Sequence, residues 1–127
     1  MQFFINHIYI FLTIFFSVSS QLIIKWKMSA FSIDTIGNTL LDKFIFASSM
    51  LLNPYIMVSI IFTLLSGLSW MIAMTKFEIS YAYPFTILGF VMVLFISNLF
   101  FDESITINKI FGILFIGIGI FIISKEM

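Results

Sequence analysis

Twenty consecutive positions from Ile5 to Ile24 carry no Asp, Glu, Lys or Arg. The same holds from Pro54 to Thr75, from Ser80 to Phe101 and from Ile110 to Ser124. A helix needs about 20 apolar residues to cross roughly 30 Å of hydrocarbon. Lipid offers the backbone no hydrogen-bond partners, so such runs must satisfy their own N–H and C=O groups as helices. Lys25, Trp26 and Lys27 close the first run as an interfacial anchor, an aromatic ring between snorkelling amines. Pro54 opens the second run in its first turn, where the missing N–H costs nothing. The fourth run is short, and Ile107 extends its hydrophobic length. The expectation is an all-α integral membrane protein, one domain over residues 1–127 with four transmembrane helices.

Composition narrows what such a protein can do. Of 127 residues, 61% are hydrophobic and only 9% charged, against about a quarter charged in a soluble domain. Six lysines balance six acidic residues and there is no arginine, so no basic patch for nucleic acid is expected. Cysteine is absent, which excludes disulfides and thiolate chemistry. His7, the only histidine, reads as an interfacial residue. Little remains from which to build a metal or catalytic centre, and neither a cofactor nor an enzymatic activity is expected. The first run lacks a basic leader and a small-x-small cleavage site, so it reads as a retained helix rather than a signal peptide.

The connections differ in length. Lys76 to Ile79 and Asp102 to Lys109 are tight and make the flanking helices antiparallel neighbours. The first connection, Met28 to Asn53, is long. In it Ile33, Ile36, Leu40, Leu41, Phe44 and Ile45 fall near one helical face, which predicts a helix lying in the membrane interface. Lys25, Lys27, Lys43 and Lys109 share one side of the membrane and Lys76 and Lys125 the other. That bias favours the first and third connections in the cytoplasm, weakly enough to admit dual topology.

Polar side chains recur inside the runs. At 100° per residue, Thr13, Ser17 and Ser20 share a face of the first helix, with Gln21 at its shoulder. Ser59, Thr63, Ser66 and Trp70 align on the second. Tyr83, Thr86, Phe90 and Ser97 align on the third, with Asn98 nearby. Three such stripes can enclose a hydrogen-bonding cavity. Serine and threonine also serve as small packing residues that bond to their own carbonyls, so the stripes admit that reading too. Gln21 is more demanding, because an amide left unpaired in lipid costs several kcal/mol. No Asp, Glu, Lys or Arg lies within the spans, so proton coupling has no evident carrier.

The order of these motifs resembles the drug/metabolite transporter superfamily in its half-size, four-helix form (EamA-like or small multidrug resistance-like). "SVSSQLIIK" is similar to the first-helix motif of the small multidrug resistance transporters. "ISYAYPF" is similar to their third-helix Ala-Tyr motif, here Ala82-Tyr83. "FFDESITINKIFGILFIGIG" carries the acidic residue before the last helix, here Glu103, and the pair Gly112 and Gly119. The resemblance implies a dimer through that glycine face, with itself or with a similar small membrane protein.

Two departures separate this chain from the drug-exporting members. Their first-helix glutamate is Ser17 here, and the tryptophan three residues after their tyrosine is Thr86. The long first connection, the Gln21 to Lys25 spacing, "LLNPYIMVSIIFTLLSGLSW" and "YAYP" are closer to the aminoarabinose-phosphoundecaprenol flippase subunits. That resemblance implies a flippase, or flippase subunit, for a polyprenyl-phosphate-linked sugar in the bacterial inner membrane. Ser17, Ser20, Gln21 and Thr86 would bind the head group, with Trp70 and Tyr83 as stacking surfaces. Lys25 would meet the phosphate or serve only as an anchor. An exporter of small solutes or drugs, and a non-transporting subunit that recruits a glycosyltransferase, remain open alternatives.

Overall fold

The computed structural model describes residues 2–31 and 36–125, and every regular element among them is helical. α1 runs Gln2–Met28, α2 Leu40–Met50 and α3 Pro54–Ala73. A short α4, Ile79–Ala82, leads through a 3₁₀ turn, Tyr83–Thr86, into α5, Ile87–Phe101. α6 runs Ile107–Ser124. Three stretches are long and apolar enough to cross a membrane: α1, α3, and the α4–α5 stretch from Ile79 to Phe101. α6 is apolar but shorter. Large apolar side chains stay exposed along every helix, Phe4, Leu99 and Phe115 each at 73%. That surface suits a lipid solvent rather than water, and it fits a membrane protein.

α1 is the central element. It outruns the sequence expectation by a turn at its C-terminal end, since Lys25 and Lys27 lie in its last turn and favour a helix C-terminus. α3 packs antiparallel along it: Trp26 meets Tyr55 edge-on at 5.2 Å, and Phe16 stacks on Phe62 at 5.8 Å. The buried face of α3 is Ile56, Ser59, Ser66, Ser69 and Ala73. Four of these five are small, which lets the two backbones approach closely. Ser66 Oγ donates to the Thr13 carbonyl at 2.9 Å, and Ser20 and Thr63 share a hydroxyl hydrogen bond of 2.6 Å.

α5 takes the other flank of α1. Gly89 makes this possible: a Cβ there would sit 3.3 Å from Val18 Cγ2 and 3.5 Å from Ile14 Cγ2. The tight Met74–Glu78 connection does bring α3 and α4 together, with Ala73 and Ala82 in one core cluster beside Ile10, Ile14 and Val18. Above that turn, however, α1 is the main partner of both α3 and α5. Chain adjacency pointed to the second span beside the third and the third beside the fourth. α6 does pack on the third span, at its 3₁₀ turn, whereas α3 and α5 lie mainly against α1.

α2 is capped by Thr39, whose Oγ1 accepts from the Asp42 N–H at 3.1 Å. Gly37 before it has φ +105°, a left-handed conformation that glycine adopts without strain, and a Cβ there would meet Asp42 at 2.8 Å. No residue of α2 is buried, and Leu40, Leu41, Phe44 and Ile45 all stand exposed. Ile33, predicted to join this face, lies outside the described residues.

Candidate functional site

A cavity of about 410 Å³ lies between the central turns of α1 and the 3₁₀ turn with the first half of α5. Thr13, Ser17 and Gln21 recur every four residues on α1 and present one polar stripe to it. Tyr83 and Thr86 face it from the third span, and Ile14, Val18, Phe90 and Val93 supply the apolar wall. Its lining among the described residues includes no carboxylate, amine or imidazole.

The hydrogen bonds show which groups are already used. Thr13 Oγ1 donates to the Tyr9 carbonyl at 2.8 Å, and Thr86 Oγ1 to the Tyr83 carbonyl at 2.6 Å. Gln21 Nε2 donates to Ser17 Oγ at 3.1 Å. That bond uses one amide N–H, so the second N–H and the carbonyl oxygen of Gln21 remain for a molecule in the cavity. The Ser17 hydroxyl hydrogen and the Tyr83 hydroxyl complete a neutral set of donors and acceptors. Trp70 buttresses Tyr83 edge-on, with ring centroids 6.0 Å apart.

The structure therefore brings Ser17, Gln21, Tyr83 and Thr86 into one cavity, with Trp70 behind Tyr83. Ser20 points elsewhere: two helices meet the polar side of α1, and Ser20 lies on the flank that α3 covers. The stripe on α3 closes with it, as the Ser59 hydroxyl bonds to the Ile56 carbonyl and that of Ser66 to Thr13. Two polar stripes, not three, line the cavity. Lys25 lies a turn beyond Gln21, and its Nζ is 3.5 Å from Glu103 Oε1. Gly112 and Gly119 have open space around them within the single chain.

Two features escaped sequence reasoning. The third span was expected as one helix from Ser80 to Phe101, yet it changes to 3₁₀ at Tyr83–Thr86. Pro84 is the visible signal, for it has no N–H to return to the Ser80 carbonyl. His7, read as interfacial, is 7% exposed. Its Nδ1 lies 2.7 Å from the Phe3 carbonyl oxygen and its Nε2 3.1 Å from the Tyr81 hydroxyl. The rings of Phe3 and Phe77 pack on it at 4.0 and 4.6 Å. Compared with known proteins, this chain matches no family model, no curated protein and no solved structure.

Proposed function

We infer that this protein is a membrane transporter, a flippase or flippase subunit that carries the head group of a polyprenyl-phosphate-linked sugar across a bacterial inner membrane. The observation that supports this reading most is the neutral, hydrogen-bonding cavity at the central turns of α1 in a molecule with an apolar exterior. Its volume falls in the range of ordinary small-ligand sites, about 300–1,000 Å³. Sugar hydroxyls match amide and hydroxyl partners such as Gln21, Ser17 and Tyr83, and a sugar face stacks on an aromatic ring.

In this reading α6 is the fourth span, α2 lies in the interface, and the open glycine face of α6 meets a second copy or a similar small protein. Alternating access is then a rocking of two halves about the site. A cavity without an ionisable carboxylate suits facilitated equilibration of the lipid-linked sugar rather than proton antiport. The chain has no enzymatic step and no cofactor in this account.

The test is flipping of a fluorescent polyprenyl-phosphate-linked sugar in proteoliposomes. Wild-type protein should speed equilibration with or without a protonophore, and Gln21→Leu should lower the rate about tenfold while membrane insertion holds or improves. A tenfold loss is about 1.4 kcal/mol, the scale of one or two polar contacts. Wild-type protein indistinguishable from empty vesicles would overturn the reading.

A further inference from the structure

Lys25 itself lines no hollow, but its neighbours on α1 line two. Gln21, four residues before it, lines the polar cavity. Leu22, three residues before it, and Trp26, next to it, line a separate apolar hollow of about 380 Å³. Ile96, Phe100 and Phe101 on α5 close the far side of that hollow. Residues three and four apart are neighbours on a helix surface, so Lys25 follows on α1 directly after the residues that line both hollows.

That amine is held by Glu103 at 3.5 Å, and both side chains are about half exposed, at 52% and 44%. The backbone of Glu103 is tied to α5 on both sides: its N–H donates to the Ser97 carbonyl at 3.3 Å, and its carbonyl accepts from Asn98 Nδ2 at 2.8 Å. Glu103 therefore leaves Lys25 by a side-chain rotation alone, with the α5–α6 loop in place. An exposed ion pair of this kind is weak and screened, so another anion of equal charge exchanges with it easily. Lys27 is engaged elsewhere, its amine over the Trp26 and Tyr55 rings at 4.1 and 3.8 Å.

We propose that this corner is a binding site for an anionic phosphate-headed lipid. The phosphate takes Lys25 from Glu103, the chain lies against Leu22, Trp26, Ile96 and Phe100, and the group carried by the phosphate faces Gln21. Glu103 is an internal competitor that keeps the amine occupied until a lipid phosphate arrives. The chain leaves lipid rather than water, so the hollow supplies van der Waals contact and shape while the charge supplies selection. This deepens the transport reading and rests on it for its purpose, but binding is measured separately from transport.

The experiment uses the full chain in nanodiscs of dioleoylphosphatidylglycerol and dioleoylphosphatidylcholine in equal parts, with retained lipids counted by native mass spectrometry. Wild-type protein should retain the anionic lipid preferentially. Glu103→Gln should raise that preference about two- to five-fold, the scale of one exposed ion pair, and Lys25→Gln should abolish it. Leu22→Trp keeps both charges and fills the hollow, and it should lower retention of the anionic lipid; it decides the matter should a charge variant fail to fold. An unchanged preference in Glu103→Gln, or in Leu22→Trp, overturns the site. Selective retention by a protein that flips no lipid-linked sugar leaves the site standing and removes only the transport reading. Flipping without selective retention removes only the site.

Discussion

His7 shows how one residue's role depends on what tertiary contact brings to it. The Phe3 carbonyl can only accept, so Nδ1 must carry the proton towards it. In the neutral ring Nε2 is then the acceptor, and the Tyr81 hydroxyl donates to it. Both ring nitrogens are satisfied in an aromatic setting that ties the start of α1 to α4. Tyr81→Phe should destabilise the protein by about 1–3 kcal/mol, the cost of a buried acceptor left without its donor. Thermal unfolding in detergent checks this, and adding His7→Phe should recover part of the loss, because no polar atom is then stranded. A Tyr81→Phe protein as stable as wild type would show that the pair contributes nothing. Nothing local to His7 announces Tyr81, since the two are 74 residues apart. Gln21 and Ser17 differ in this respect: their spacing of four makes their hydrogen bond legible from the sequence.

At the scale of elements, the four apolar runs correspond to helices with ends within a few residues of those expected. The amphipathic helix, by contrast, begins only at Leu40, so Ile36, before Gly37 and the Thr39 cap, does not join its face. The break at Tyr83–Thr86 is the main difference. It matters because the 3₁₀ turn carries both aromatic and hydroxyl groups of the third span into the cavity. Pro84→Ala restores the N–H that a continuous helix needs. The variant should be more stable, by up to about 3 kcal/mol, with Tyr83 and Thr86 rotated out of register with α1. Flipping should fall about tenfold in the same protein, a loss of function coupled to a gain in stability. A straightened helix that flips at the wild-type rate would show that the break does not position the site.

For the molecule as a whole, α1 makes the main contacts with both α3 and α5, while α6 buries none of its described side chains. A Cβ on Gly112 or Gly119 would meet nothing within 4 Å, so leucine at both positions costs the single chain no contact. The double variant Gly112→Leu with Gly119→Leu should insert and fold as wild type while the proposed dimer weakens at least tenfold, because the added side chains hold two α6 helices apart. Cross-linking or native mass spectrometry reads the dimer directly. Dimers at wild-type strength would place the interface on another face.

Run length and the absence of charge determined, without any tertiary information, that this chain is helical and suited to lipid, because the cost of an unpaired backbone group or a buried charge in hydrocarbon leaves no other solution. Helical spacing likewise determined that Thr13, Ser17 and Ser20 share a face of α1 with Gln21 at its shoulder. Which neighbour each polar group would meet was decided only by packing. Serine on a membrane helix satisfies itself on its own backbone or on an adjacent helix at similar free energy, so periodicity alone does not separate a seam from a cavity. The small residues of α3 brought that helix onto Ser20 and the Thr13 carbonyl, and Gly89 brought α5 onto Val18. The space left between those two contacts became the cavity, with Ser17 and Gln21 facing it.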